Sequence, residues 1–412
     1  MGVRVIVKAA YAGVSIDSRL RYMKAPTCSA LRLAVVSILM AVMLFAVAGC
    51  AAEADDIDWL DGDIFIEFPY SDLHIDADPP SLSRAIESPL EFLPFIVPAG
   101  PFSRLTGLPV YEEYIYRRPF AAVINNSGRA LPQSGVASAD IIYEVLAEGD
   151  VTRLVGIFQS YIPEKIGPMR SARDYFIDFA LNHDALFIHH GSSPGGYAHI
   201  SALRITNLDG MALEGTVFWR DRTYPYWAVN TGTRPLEHSS YTGSARLFTH
   251  LENRNIRDYW NYESGGYGFD FRHSFVSSDD FEGGQAYTVH VPFSALYFRR
   301  FVFDHETGLY FAENRQGPHM DAETGEQVGV GNILIQFTNM RVVDGVGRRT
   351  VDTVGSGEGY LVSGGRYQPV RWVKDSHVSP TRWYFADGTP LVLEPGRIWI
   401  CVFQSNGNVV FE

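Results

Sequence analysis

The 412-residue chain has 34 lysine and arginine residues against 47 aspartate and glutamate residues, which gives a formal net charge of −13 at pH 7. Nucleic acids and anionic lipid surfaces repel such an acidic chain, so we expect no nucleic-acid partner. Three cysteines and 46% hydrophobic residues exclude a disulfide-rich scaffold and indicate stabilisation by a hydrophobic core.

The first 49 residues have the pattern of a lipoprotein signal peptide. Basic residues precede an uncharged run of 15 residues, Leu33–Val47, which is shorter than the ~20 apolar residues of a membrane-spanning helix. The run leads into Ala48-Gly49-Cys50, where small residues stand before a thiol that can accept lipid. We therefore expect cleavage before Cys50 and lipidation of its side chain, with Met23 as an alternative start of translation. The alternative interpretation is a short buried helix followed by a core cysteine.

Cleavage would remove six basic residues and one acidic residue, so the mature chain would carry a formal net charge of −18. Membrane attachment must then come from the lipid, because each buried methylene group contributes ~0.8 kcal/mol. The sequence predicts a protein anchored on the extracytoplasmic face of the cell membrane. Residues 50–103 are acidic and rich in proline, which is typical of a tether, although their aromatic residues also allow a segment that docks onto the folded body or a partner.

In residues 104–265, short apolar runs typical of strands alternate with segments of helical periodicity. This pattern predicts a mixed α/β N-terminal domain of layered sheets and helices. Predicted strands are Phe120–Ile124, Leu154–Phe158 and Leu186–His190, and predicted helices are Met169–Leu186, Tyr197–Leu203 and Tyr241–Ile256. Glycine-rich turns follow two of these strands, and ligands of open α/β sheets commonly bind at such strand ends.

Residues 285–412 contain short β-like runs separated by turns such as Glu306-Thr307-Gly308, which predicts a smaller, mostly antiparallel β C-terminal domain. Trp372, Trp383 and Trp399 favour packing in its core, with stacking on cell-wall sugars as the alternative. Cys401 is the thiol that remains after cleavage and lipidation, so we expect no intramolecular disulfide.

Several blocks of the sequence occur in the order found in a known family. They include Leu105–Pro109, Ala139–Glu144, Gly167–Arg173, His189–Pro194, His238–Thr242, Asn332–Ile335, Trp372–Lys374 and Pro395–Ile400. In these blocks, across residues 104–404, the chain resembles the YerB-like lipoproteins. The resemblance implies an α/β first domain, a smaller C-terminal domain and lipid anchoring, but no activity, because that family has no known function. Residues 222–237 depart from the family pattern, so positions near His238 align less securely.

Arg170 and Arg173 form the first candidate ligand site. Gly167-Pro168 breaks the chain just before them, and the predicted helix would place both arginines on one face of its first turn. Cations oppose the helix dipole at this end, whereas guanidinium groups bind carboxylates and phosphates well. The two arginines therefore either form a structural ion-pair network with nearby acids such as Glu148 or contact an anionic ligand, and the sequence leaves both interpretations open.

Gly191-Ser192-Ser193-Pro194-Gly195 matches the G-x-S-x-G pattern of a serine-hydrolase nucleophile elbow, and Asp209 and His238 follow it. However, Pro194 has no N–H group to offer an oxyanion hole, and the loss of one such donor costs ~10²–10³-fold in rate. A helix N-cap at Ser193 followed by proline explains the same residues. A ligand-contacting loop is the preferred interpretation, and a cell-envelope hydrolase or transferase using Ser193 or the nearby histidines is the alternative.

The histidines show no recurring metal-ligand spacing. His189 and His190 are adjacent on a predicted strand and point to opposite faces, so they cannot readily share one ion. We expect neither a metal nor a cofactor, and we assign no catalytic residue.

The preferred function is a binding or scaffold lipoprotein for an anionic or cell-wall-derived ligand at the strand–helix edge. The predicted ligand contacts are Arg170, Arg173, His190, Ser192, Ser193 and Arg220. A scaffold that binds only protein partners is a third hypothesis, and it predicts an exposed apolar patch on the C-terminal sheet. The sequence does not indicate the oligomeric state.

Overall fold

The computed structural model describes residues 101–228, 232–261, 267–272 and 283–412, together with the short antiparallel pair Ala10–Tyr11 and Val14–Ser15. Cys50, nearly all of the predicted signal peptide and most of the predicted tether lie outside these residues. In the described part of the chain, no helix is both long enough and apolar enough to cross a membrane.

Within residues 101–261 as described, helices and strands alternate. The strands are β1 (Phe120–Asn125), β2 (Ile141–Leu146), β3 (Thr152–Phe158), β4 (Leu186–His189), β5 (Asn207–Asp209), β6 (Trp219–Arg220) and β7 (Ser240–Tyr241). The helices are α1 (Glu112–Ile115), α2 (Asp174–Leu181), α3 (Pro194–Leu203), α4 (Gly210–Leu213) and α5 (Ser244–Arg254), with 3₁₀ turns at Val136–Ser138 and Leu236–His238.

The described residues after 266 contain strands joined by turns and loops, and no helix. These are β8 (Asp270–Phe271), β9 (Thr288–Val291), β10 (Arg299–Asp304), β11 (Leu309–Asn314), β12 (Gly317–Pro318), β13 (Gly329–Val330), β14 (Asn332–Thr338), β15 (Met340–Val342), β16 (Arg349–Val351), β17 (Gly355–Ser363), β18 (Arg366–Lys374), β19 (Arg382–Phe385), β20 (Val392–Leu393), β21 (Ile398–Gln404) and β22 (Val410–Phe411). The prediction of an α/β N-terminal part and a β-rich C-terminal part is confirmed.

One large mixed sheet has the spatial order β19-β18-β17-β14-β21-β2-β3-β1-β4-β5. Strands β1, β2 and β3 are buried at every position, as expected of apolar strands covered on both faces. Strand β21 lies between β14 and β2 and runs parallel to both. Because β2 and β21 come from the two segments predicted as separate domains, their backbone hydrogen bonds join both segments in one sheet.

A second sheet has the order β12-β11-β10-β9-β22, with β13 also paired to β11. Strands β10 and β11 form a hairpin across the predicted turn at residues 306–308, where Gly308 adopts φ 70°, a conformation that glycine takes without strain. Trp399 of β21 packs edge-on against Phe301 of β10 at 5.4 Å between ring centroids. Trp372, Trp383 and Trp399 are all buried, so in this fold they pack within the protein.

The predicted helix over Met169–Leu186 is too long. Helix α2 spans only Asp174–Leu181, and Arg173 precedes it with extended backbone angles of φ −130° and ψ 158°. The expectation that Arg170 and Arg173 share the first helical turn is therefore wrong. The physical reason is that the preceding segment pairs its backbone with neighbouring strands, so that its N–H and C=O groups are satisfied without a helix.

Candidate functional site

The segment that carries Arg170 lies between the ends of β1 and β4. The Arg170 N–H donates to the carbonyl of Val123 at 2.8 Å, and the N–H of His190 donates to the carbonyl of Arg170 at 3.0 Å. Two residues further on, the N–H of Ala172 donates to the carbonyl of Gly191 at 2.9 Å. The backbone thus brings the arginine segment and the glycine-rich loop after β4 together at one edge of the large sheet.

Two of the predicted arginines reach the same 3₁₀ turn. Arg170 Nη1 donates to the carbonyl of Glu237 at 3.0 Å, and Arg220 Nη1 donates to the adjacent carbonyl of Leu236 at 2.9 Å. Arg220 also binds the Glu214 carboxylate through Nε at 2.7 Å and Nη2 at 2.9 Å. Within the described residues, the Arg170 guanidinium has no carboxylate in direct ion-pair contact, although the charges of Glu148 and Glu237 act on it at longer range, so its remaining N–H groups can still meet an anionic ligand.

His190 links Arg220 to the sheet edge. Its Nε2 lies 3.0 Å from Arg220 Nη2, and its Nδ1 lies 2.8 Å from Ser240 Oγ. A guanidinium can only donate, so Nε2 must accept and the ring proton must be on Nδ1, which donates to Ser240. Burial and the positive charge of Arg220 lower the pKa of His190, and the ring is therefore neutral at pH 7.

His238 provides a second neutral imidazole. The Asn125 amide Nδ2 donates to His238 Nδ1 at 2.7 Å, and Ser127 Oγ lies 3.4 Å from the same nitrogen. Burial and the charge of Arg170 lower the pKa of His238. Since Nδ1 accepts from the amide, the ring proton is on Nε2, where it can serve as a donor.

We name Asn125, Arg170, His190, Arg220 and His238 the strand-end cluster. Its members lie at the carboxyl ends of β1 and β4, on the segment before α2, on β6 and on the 3₁₀ turn before β7. The cluster combines two guanidinium groups with the Asn125 amide and the Nε2–H of His238, which lies 3.8 Å from Glu237 Oε1, whereas both ring nitrogens of His190 are already engaged. Charge-assisted hydrogen bonds from such donors suit carboxylate and phosphate oxygens.

Arg173, by contrast, points into a different environment. Its side chain is buried, and Nε donates to Glu148 Oε2 at 3.1 Å, while Arg153 also pairs with Glu148. Although burial raises the pKa of Glu148, the charges of Arg153 and Arg173 outweigh that effect and hold the pKa below its usual value. The ion-pair network considered as the structural alternative is thus present for Arg173, whereas Arg170 interacts with the Glu148 charge only beyond ion-pair distance.

The Gly-Ser-Ser-Pro-Gly loop begins α3. Ser193 is the N-cap, and its Oγ accepts from the N–H of Gly196 at 3.1 Å, while Ser192 Oγ lies 3.4 Å from the carbonyl of Ala172. The Asp209 carboxylate accepts from the N–H of Gly191 at 2.7 Å. Among the described residues, the serine, aspartate and histidine of the hydrolase pattern make no contact with one another, because each is bound elsewhere.

Sequence reasoning did not identify Asn125 and His238 as members of the strand-end cluster, nor Ser240 as the hydrogen-bond partner of His190. A polar residue directly after the apolar run of β1 is a usable signal, since strand ends of α/β sheets commonly carry binding residues. The sequence indicates His238 only through the hydrolase pattern and among histidines without metal-ligand spacing. Its role depends on contact with Asn125, which is 113 positions away in the chain.

Comparison with known proteins places these features in a family. Residues 105–257 match the family described as "Protein of unknown function (DUF3048) N-terminal domain", and residues 289–400 match its C-terminal domain. Over 306 residues the chain is 32% identical to "Putative lipoprotein YerB" of Bacillus subtilis (strain 168), covering 72% of this chain and 84% of that protein.

A solved structure shows the same fold. The crystal structure of YerB from Bacillus subtilis is similar with a TM-score of 0.64 and 29% identity, covering 75% of this chain and 99% of that one. The similarity in sequence and in fold agrees with the blocks recognised across residues 104–404. The chain therefore belongs to the DUF3048 family, to which its resemblance to the YerB-like lipoproteins pointed.

Proposed function

We propose that the protein is a lipid-anchored binding protein of the cell envelope, tethered through Cys50 at the extracytoplasmic face of the membrane, whose strand-end cluster binds an anionic ligand. Carboxylate or phosphate groups of cell-wall polymers are the ligand class that this chemistry fits. The relative described as a lipoprotein supports the anchoring, as does the small-residue run before Cys50.

The observation that carries the ligand proposal is the position of Arg170. Its guanidinium donates to one backbone carbonyl, that of Glu237, and among the described residues the charges of Glu148 and Glu237 act on it without direct ion-pair contact. Because neither carboxylate is in direct contact, the remaining N–H groups of Arg170 can donate to an added anion. The fixed contacts of Arg220 and His190 beside it leave Arg170 as the group that can bind an added anion.

The anchoring is tested by Cys50→Ala in the bacterium that produces the protein. Lipid attachment and the cleavage that follows it require the thiol, so the variant should carry no lipid and should accumulate as an uncleaved precursor that keeps its apolar run. Cell fractionation and the mass of the N-terminal peptide measure both effects. Unchanged processing and unchanged membrane association would remove the basis for extracytoplasmic anchoring.

The ligand site is tested by titrating the purified protein with inorganic phosphate, a glycerol-phosphate oligomer and a peptidoglycan fragment with free carboxylates. Arg170→Ala should weaken binding at least about 10-fold, since a charge-assisted hydrogen bond contributes ~1.5–3 kcal/mol. Binding by the unaltered protein should also weaken as salt rises, because the cluster is partly exposed. Isothermal titration calorimetry at two salt concentrations measures both effects.

Arg371→Ala is the matched control. Arg371 is an exposed arginine on β18, so its loss changes the net charge equally without touching the strand-end cluster. Equal weakening by both variants would indicate a general charge effect and contradict a defined site. A large drop in melting temperature for Arg170→Ala, without a change in binding, would make Arg170 a structural residue.

A further inference from the structure

Three side chains with metal-binding atoms meet away from the strand-end cluster. Asp178 lies on α2, His199 lies on α3, and His377 follows β18. Asp178 Oδ1 is 2.9 Å from His199 Nε2, and Asp178 Oδ2 is 2.8 Å from His377 Nδ1. One ligating atom from each residue lies within 4.8 Å of the other two.

A cavity of about 370 Å³ opens beside these three residues. Its lining includes Asp174, Asp178, His199 and His377, together with residues 350–354. Asp174 is one helical turn before Asp178 and therefore lies on the same face of α2. The space is sufficient for an ion and several water molecules, since one water occupies ~30 Å³ in the liquid.

The carboxylate of Asp178 is held in place from a second direction. The residue is buried, and Thr353 Oγ1 donates a hydrogen bond to Oδ2. Outer contacts of this kind orient the ligands of metal sites, and their loss typically weakens metal affinity ~10–100-fold. Asp178 therefore has a fixed orientation between two imidazole rings whose centroids are 4.6 Å apart.

We propose that Asp178, His199 and His377 bind a divalent transition-metal ion of the Zn²⁺ class, with positions left open on the cavity side for water or an added ligand. Two imidazole nitrogens and one carboxylate oxygen form a donor set that zinc accepts with bonds of about 2.0–2.2 Å. The buried carboxylate and the nearby Asp174 supply the negative charge that balances a divalent ion.

The spacing of the ligand atoms fits this assignment. Neighbouring ligands around an ion with bonds of ~2.1 Å are separated by about 3 Å or slightly more. The 2.9 Å and 2.8 Å contacts involve different oxygens of Asp178, and the three candidate ligand atoms lie within 4.8 Å of one another, so side-chain movements of about 1–2 Å would bring all three to one ion. No residue of this group belongs to the strand-end cluster, and the proposal is independent of the anionic-ligand site.

The test uses the whole protein with its lipid anchor, purified in detergent and stripped with EDTA. Titration with Zn²⁺ by calorimetry should show one saturable site, and Co²⁺ should give visible absorption of a low-symmetry complex. Zn²⁺ should also raise the melting temperature, because an ion that binds only the folded state stabilises it. His377→Ala should weaken binding at least about 100-fold, and Thr353→Val should weaken it ~10–100-fold.

His377 is exposed, so its replacement should leave the fold intact, and a thermal melt without metal verifies this. His250→Ala on α5 is the matched control, because it removes an imidazole outside the proposed site. One-site binding that persists in His250→Ala and is lost in His377→Ala supports the proposal. Failure of the unaltered protein to bind either ion, or equal binding by His377→Ala, would overturn it.

Discussion

Arg299 donates two hydrogen bonds to the carboxylate of Glu144 in a site where neither side chain is exposed by more than 1%. Nε lies 2.8 Å from Oε2 and Nη2 lies 3.1 Å from Oε1. Glu144 belongs to β2, and Arg299 begins β10 in the second sheet. The ring of Trp399 lies 4.7 Å from the guanidinium carbon. This ion pair therefore links the large sheet to the second sheet.

Arg299→Ala should lower the free energy of unfolding by about 3–5 kcal/mol, because removing one partner leaves the Glu144 charge buried and uncompensated. Urea unfolding followed by tryptophan fluorescence measures the change. Arg300→Ala is the matched control, since the neighbouring Arg300–Glu313 pair is exposed and should contribute no more than ~1 kcal/mol. Similar losses in both variants would contradict the assignment of a buried, coupled pair.

The parts of the fold that could be predicted are those determined by residues close together in the sequence. Phe120–Ile124 and Leu154–Phe158 are apolar runs, and they became the buried strands β1 and β3. Ser193 before proline predicted the start of α3, where the N-cap hydrogen bond is present. The extended segment at Arg170 could not be predicted locally, because its partners, Val123 and His190, are distant in the chain.

The same distinction between local and distant causes applies to the two candidate sites. Arg170, His190 and Arg220 were identified from residue type and position, and the fold brings them to one edge of the large sheet. The grouping of Asp178 with His377 was beyond sequence reasoning, because 199 positions separate them. The two side chains meet because the residues after β18 pack against α2 in the folded chain. No spacing between residues in the sequence predicts that packing.

His183 should make the protein lose stability on mild acidification. The side chain is buried, its Nε2 lies 2.8 Å from the Tyr143 hydroxyl, and burial lowers its pKa to about 3. An unfolded histidine titrates near pH 6.5. Between pH 6.5 and pH 3 the unfolded chain therefore binds a proton that the folded protein does not, and stability falls as the pH falls.

The expected contribution of His183 is a loss of ~1.5 kcal/mol between pH 6.5 and pH 5. Urea unfolding at pH 8, 6.5 and 5 measures it, with His183→Gln compared at each pH. The variant should be less stable at pH 8 but should have a shallower decline below pH 6.5. Parallel curves for the two proteins would show that His183 is not held in its neutral form.

Gly243 is required by close packing. A Cβ atom at this position would lie 1.7 Å from the carbonyl oxygen of Glu164, so Gly243→Ala should cost about 1–3 kcal/mol through a forced backbone shift. Gly195, in α3, has no atom within 4 Å of the equivalent position, and Gly195→Ala should stabilise the protein by ~0.4–1 kcal/mol. Differential scanning calorimetry of both variants tests the pair, and a loss of stability for Gly195→Ala would contradict the open space assigned there.

Cys401 should report global unfolding. It lies fully buried on β21, between β14 and β2, and burial raises the pKa of its thiol well above the usual value. Thiol reagents attack the thiolate, so alkylation in the folded protein should be slow and should require opening of the large sheet. Mass spectrometry of the peptide containing residue 401, after timed alkylation with and without urea, measures the rate. Ser405→Cys places a thiol at an exposed position four residues away and should react rapidly under native conditions, whereas equally rapid native labelling of Cys401 would show that the centre of the sheet opens locally.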